Sequence, residues 1–138
     1  MTHLVRILAG GKMKHSPLFP MAEQYRKRMH LWSLELQEVE TFEKREPAKK
    51  EAWIILDERG KPCSSPQFKE LLESVIVCQK IPTFLIGTYQ GFPPDLMAKA
   101  FKILSFGSPT WPHLLARLML LEQIYRAQQA ILGHPYSL

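Results

Sequence analysis

Two short runs with no polar position constrain this chain more than anything else in it: Trp53-Ile54-Ile55-Leu56 and Phe84-Leu85-Ile86, the latter following Thr83. A strand with one wet face alternates in polarity. These runs do not, so both their faces are buried, as in the interior of a parallel sheet. The first gives way to Asp57-Glu58-Arg59-Gly60-Lys61-Pro62 and the second stops at Gly87, followed by Thr88-Tyr89-Gln90-Gly91-Phe92. A third run, Ile103-Leu104-Ser105-Phe106, breaks into Gly107-Ser108-Pro109-Thr110-Trp111-Pro112-His113 before a long apolar segment begins at Leu114. Ligands of open α/β sheets sit outside the carboxyl ends of strands, so function is expected at these loops.

The remaining elements follow the same alternation. Leu4-Val5-Arg6-Ile7-Leu8-Ala9 reads as a first strand ended by Gly10-Gly11. Pro17 and Pro20 precede a helix over 21–31, with Met21, Ala22, Tyr25 and Met29 as its apolar stripe. Residues 34–42 alternate as a half-buried strand with room for a bulge, and 43–50 is a charged connection. Ser65 caps a second helix, with Pro66 at its first position and Phe68, Leu71, Leu72 and Val75 on one stripe. Pro82 ends what precedes the Thr83 strand, a short helix spans 93–100, and Pro112 opens a last helix to 132. The fold class is α/β with a largely parallel sheet, and 138 residues make one domain.

Composition excludes several classes. At 46% hydrophobic and 22% charged the chain fills a core and is not disordered. The net charge of +5 suits a polyanionic partner modestly. Arg6, Lys12, Lys14, Arg26, Lys27 and Arg28 face a single acid, Glu23, before position 30, whereas acids dominate from Glu35 to Glu58. That basic set is either a solvated helix face or a phosphate-binding surface carried by Lys12, Lys14, Arg26 and Arg28. Cys63 and Cys78 lie outside any C-x-x-C, which fits a reducing, cytoplasmic setting. The early apolar run is too short for a signal peptide, and Arg117 interrupts the most apolar segment, so no membrane span is expected.

Few side chains announce chemistry. Gly87 reads first as a turn needing positive φ, with close approach of backbone to a ligand as the alternative. Gly87 and Gly91 form neither a dinucleotide fingerprint nor a phosphate loop. His3, His15, His30, His113 and His134 have no metal-ligand spacing, and no metal is expected. Arg117, inside an apolar run, needs a carboxylate, backbone carbonyls or an RNA phosphate, and Glu122 is the nearest acid along the chain. The last helix is apolar on more than one face through Leu114, Leu115, Leu118, Met119, Leu121 and Ile124, which implies a partner beyond the sheet.

The strings Phe84-Leu85-Ile86-Gly87-Thr88-Tyr89-Gln90-Gly91, Thr110-Trp111-Pro112-His113, Arg117, Glu122-Gln123-Ile124-Tyr125-Arg126-Ala127 and His134-Pro135-Tyr136 occur in order. Together they resemble the ribosomal RNA large subunit methyltransferase H family, within the trefoil-knotted SPOUT methyltransferases. The resemblance runs nearly end to end. It implies S-adenosyl-L-methionine as cofactor and methylation at N3 of a pseudouridine in 23S rRNA of the ribosome. It also implies a homodimer and helices on both faces of a sheet with a deep C-terminal knot. The knot is carried by resemblance alone, because threaded chains are nearly absent from folds.

By the same resemblance Leu56, Gly87, Phe106, Gly107, Ser108, Pro109, Thr110 and Trp111 form the cofactor pocket, and Tyr136 and His134 belong to a tail that closes on it. Those two, or water, are the candidate bases for the N3 proton. The chain departs from the family pattern in three places. Thr88 replaces a second glycine, the tail ends Ser137-Leu138 instead of with a histidine and a cation, and 43–50 replaces a helix. Two rivals follow: an RNA- or ribosome-binding homologue that does not methylate, and a small α/β protein for another nucleotide.

Overall fold

The structure, a computed structural model, describes residues 2–137, without the side chain of Ser137; the end of the tail, Leu138, lies outside the described residues. Five strands, β1 (His3–Gly10), β2 (Trp32–Val39), β3 (Glu51–Pro62), β4 (Ile81–Ile86) and β5 (Lys102–Ser105), form one sheet in the order β2-β1-β4-β3-β5. Every pairing is parallel. The helices are α1 (Phe19–Lys27), α2 (Ser65–Val77), the single turn α3 (Pro94–Met97) and α4 (His113–Ile131), and a 3-10 turn (Pro135–Ser137) follows.

Alternate residues of the central strands feed two cores. Val5, Ile7, Ile54, Leu56, Phe84 and Ile86 pack beneath α1, α2 and α4. Leu8, Trp53, Ile55 and Leu85 point the other way, onto Val39, Phe42, Phe92 and Leu96. Ile54, Ile55, Phe84 and Leu85 are wholly buried, each worth about 1.5–3 kcal/mol in apolar burial. β2 sits at the sheet edge and shows the expected half-buried pattern, paired to β1 from His3↔Trp32 to Gly10↔Val39 without a bulge.

The second face carries only α3 as helix. Residues 40–50 hold no helix, as the charged connection implies. Side chains do the covering: Phe42 meets Phe92 edge-on at 4.9 Å between centroids. Lys99 Nζ ties the connection down by donating to the Arg45 carbonyl at 2.9 Å and to Glu46 Oε1 at 2.6 Å.

Several boundaries differ from the sequence reading, each for a tertiary reason. α1 stops at Lys27, short of the expected 31, because the chain is captured by α4. Gln128 Oε1 accepts from the backbone N–H of His30 at 2.6 Å and of Leu31 at 2.8 Å, while its Nε2 donates to the Arg28 carbonyl at 2.8 Å. Met21, expected on the apolar stripe of this helix, is exposed. The cap of α2 is Ser64, which accepts from the Gln67 N–H while Gln67 returns the bond, so Ser65 lies inside the first turn. Its hydroxyl instead donates to Gln123 Oε1 at 2.8 Å. Pro82 stands within β4, not before it, and α3 is half the expected helix.

The largest difference is at 57–62, expected as a loop and found as a continuation of β3. Leu104 of β5 is the register partner of Leu56 and again of Lys61. A strand residue bonds one neighbour on each side, so β3 backbone flanks β5 on both edges and residues 57–60 pass across it. Gly60 marks the crossing: a Cβ there would stand 2.6 Å from the Leu104 carbonyl carbon and 2.8 Å from that of Ile103. Only a residue without a side chain fits. A knotted chain requires a crossing of this kind.

Candidate active site

The carboxyl ends of β3, β4 and β5 open into one cavity of about 570 Å³. Its floor is Leu56, Ile86 and Leu104, the last apolar residues of the three strands, and all three are buried. One wall is the turn after β4. Gly87 and Thr88 start it, the Gly91 N–H closes it on the Thr88 carbonyl at 3.0 Å, and Gly91 takes φ +73°. The opposite wall is the loop after β5, where Gly107 takes φ +99° and Trp111 Nε1 donates to the Phe106 carbonyl at 3.0 Å. That bond braces the loop and fixes the plane of the indole.

Of the residues expected in the pocket, Leu56, Gly87, Phe106, Gly107, Pro109, Thr110 and Trp111 line this cavity. Ser108 does not line it and is exposed. Gly87 does not take a positive φ, so its reading as a left-handed turn gives way. A Cβ at Gly87 would stand 3.3 Å from the Phe92 ring, so close approach is what the glycine permits.

The sequence reading missed Asp57, Glu58 and His113, which also line the cavity. Their signal was position: Asp57 and Glu58 directly follow the apolar run of β3, and His113 opens α4. Arg59 grips Asp57 through Nε at 2.8 Å and Nη2 at 3.0 Å, which holds the carboxyl below its ordinary range. Glu58 Oε2 accepts from the Thr110 hydroxyl, linking the 57–60 crossing to the loop after β5. Arg59 compensates the Asp57 carboxylate, and Glu58 leaves one net negative charge beside the cavity, which favours a cationic ligand. Thr88 packs its methyl on Gly10, where a Cβ would come within 2.6 Å, so it narrows the β4 turn from the β1 side.

Arg117 is not a surface cation. It is 2% exposed, its Nη1 bonds Glu38 Oε2 at 2.7 Å, and its Nη2 donates to the carbonyls of Gly10 at 3.3 Å and Gly11 at 3.0 Å. The RNA contact expected for Arg117 is replaced by an ion pair between its buried guanidinium and a partly exposed acid, Glu38 and not Glu122. Burial opposes the Glu38 carboxylate, yet Arg117 and the Met13 N–H, donating at 2.8 Å, hold it below its ordinary range. This hub sets the loop that carries Lys12 and Lys14, both exposed, beside His113. Lys14 and Arg26 line one cleft, though Arg26 is paired with Glu23 at 2.9 Å, and Arg28 is exposed at the end of α1.

The tail lies elsewhere. The Tyr136 hydroxyl donates to Glu122 Oε2 at 2.8 Å, and its ring stacks under Arg126, which grips the same carboxylate at 2.8 Å. Burial, then the bond to Glu122, pushes the phenol pKa up, away from what a base at neutral pH requires. Glu122 is nine residues along α4 from His113, about 14 Å at 1.5 Å per residue. Neither Tyr136 nor His134 lines the cavity. His134 Nδ1 accepts from the Tyr136 N–H at 3.1 Å. Cys63 does not line it either, and burial raises its thiol pKa. α4 buries Leu118, Leu121 and Ile124 in its own core, leaving Leu114, Leu115 and Met119 half-buried. No helix among the described residues is long and apolar enough to cross a membrane.

Known proteins resemble this chain in sequence over nearly its whole length. Proteins named ribosomal RNA large subunit methyltransferase H from Sphingopyxis alaskensis and Erythrobacter litoralis are each 40% identical over 136 residues, spanning 96% of this chain and 95% and 96% of their own length. One of the same name from Rhodopseudomonas palustris is 36% identical over 157 aligned positions, spanning 94% of this chain and 96% of the relative. A family model described as "Predicted SPOUT methyltransferase" matches residues 4–137. A parallel sheet whose last strands open into one cavity, and relatives alike across nearly their full length, make this chain a member of the SPOUT methyltransferase family.

Proposed function

We propose that this single-domain protein transfers a methyl group from S-adenosyl-L-methionine to N3 of a pseudouridine in 23S rRNA, acting on the assembled ribosome in the cytoplasm as a homodimer. The observation that carries the reading is the convergence of Leu56, Gly87 and the 106–111 loop on one cavity. Its volume of about 570 Å³ falls within the range of about 300–1,000 Å³ typical of small-molecule sites. The apolar floor suits an adenosine, backbone groups of the two glycine-bearing loops suit its ring edges, and Asp57 and Glu58 suit a cationic sulfonium or ammonium. When bound, the cofactor supplies an activated methyl on sulfur.

The chain's own share is placement. Fixing donor and acceptor in line contributes roughly 7–11 kcal/mol, and the rigid walls at Gly91 and Trp111 serve that purpose. The N3 proton must leave. A part for Tyr136 or His134 requires the tail to release Glu122 or to serve the second copy. Half-buried Leu114, Leu115 and Met119 on α4 support the dimer. Lys12 and Lys14 support phosphate contacts near the His113 side, and Arg28 supports them toward the far end of α4, where its carbonyl meets Gln128.

The docking of Tyr136 on Glu122 also supports the rival, a homologue that binds ribosomes without methylating. Methyl transfer decides between them. Ribosomes lacking this modification, given labelled cofactor and the protein, are expected to gain label in one pseudouridine of the large subunit. Cofactor and ribosome binding without label would leave the rival standing.

A further inference from the structure

We propose that Tyr89, facing Trp111 across the cavity mouth, is the stacking platform that receives the target base; this rests on the rRNA reading above. Tyr89 is 88% exposed and Trp111 39% exposed, yet both line the cavity. They come from different walls, Tyr89 from the turn after β4 and Trp111 from the loop after β5. In the sheet, β3 separates those strands, so the loops start two strand spacings apart, about 10 Å. Both aromatic residues thus reach one cavity from the two sides of β3.

The Trp111 ring and the turn that carries Tyr89 are both braced. Tyr89 rides a turn closed by the Gly91 N–H on the Thr88 carbonyl at 3.0 Å and by the Gln90 N–H on Thr88 Oγ1 at 3.3 Å. Trp111 is tied to the Phe106 carbonyl at 3.0 Å. The cavity floor is apolar and already suits the cofactor, whereas the exposed phenol stands above it with its hydroxyl contacted by the Gln90 amide at 3.5 Å. A large aromatic face left in water beside a closed, rigid turn is what an unstacked base of single-stranded RNA uses. The base is favoured over a second protein surface because Thr110 and Glu58 line the same cavity as both rings and offer polar groups able to meet a uracil-like imide.

The test combines kinetics with a contact measurement. Tyr89→Ala is expected to raise KM for ribosomes roughly 5- to 150-fold, the range one base–aromatic stack covers, with calorimetric cofactor affinity unchanged. Tyr89→Phe is expected to restore the native KM. Independently of catalysis, Tyr89→p-benzoylphenylalanine is expected to photo-crosslink to large-subunit rRNA. If the unaltered protein methylates nothing but the crosslink to rRNA forms, the platform stands and the enzymatic reading fails. The platform is overturned if the crosslink goes to protein alone, if Tyr89→Ala weakens cofactor binding or dissociates a dimer, or if its KM is native.

Discussion

Gly60→Ala is expected to cost about 3 kcal/mol or more, at or above the upper end of what overpacking usually costs. The added methyl would meet the Leu104 carbonyl carbon at 2.6 Å and the Ile103 carbonyl carbon and oxygen at 2.8 Å each. All three are backbone atoms of a strand paired on both sides, so no side chain can swing away. Either β5 moves out of register or residues 57–60 lift off it, and both changes open the cavity by displacing Asp57 and Glu58. Urea denaturation gives the loss of stability. Gly133→Ala is the control: φ is +73° there but nothing lies within 4 Å, so only left-handed strain of about 1–2 kcal/mol applies. A Gly60→Ala protein as stable as this control would mean that the crossing is looser than described.

Arg117→Met is expected to destabilise by about 1–3 kcal/mol, the cost of leaving buried acceptors without their donor, because only the guanidinium side of the pair is buried. The substitution keeps most of the side-chain volume and takes away the charge. The carbonyls of Gly10 and Gly11 then lose their donor, while Glu38, a third exposed, keeps the Met13 N–H. Glu38→Gln in the same chain is expected to recover little, because the carboxylate reaches solvent.

Acid gives a second signature of this pair. The Glu38 carboxyl is held below its ordinary value in the fold, whereas unfolded it titrates near about 4.3. A depressed folded pKa stabilises at pH above the unfolded value, and that stability is lost as pH falls through the folded one. The native protein should therefore lose stability below about pH 4 more steeply than Glu38→Gln. Parallel curves for the two would remove Glu38 from the account.

The strands were legible because burial on both faces leaves no polar position in Trp53-Ile54-Ile55-Leu56 or Phe84-Leu85-Ile86. The helix stripe at Phe68, Leu72 and Val75 was legible for the matching reason. What the local pattern could not carry was set by distant residues. Asp57-Glu58-Arg59 reads as a loop by composition, and becomes strand only because β5 offers both its edges. The stop of α1 depends on Gln128, a hundred residues away along the chain. Arg117 announced a partner, but spacing could not choose Glu38, which reaches it from the sheet-edge strand β2.

The pocket was legible through the resemblance at Gly87 and Trp111. His113, Asp57 and Glu58 were passed over because a single acid or imidazole at an element end carries no spacing signal. The tail shows the converse. Its residues match a family signature, yet Glu122 and Arg126 seat Tyr136 against α4, away from the cavity.

Calorimetric titration of S-adenosyl-L-methionine into the native protein and into Gly87→Val tests the cradle most directly. Saturable binding to one site per chain is expected for the native protein. Binding should be lost in Gly87→Val, whose side chain would fill the space before the Phe92 ring, while its urea curve stays cooperative. No heat with the native protein, or equal affinity in the folded variant, would contradict the convergence of Leu56, Gly87 and the 106–111 loop on this cofactor.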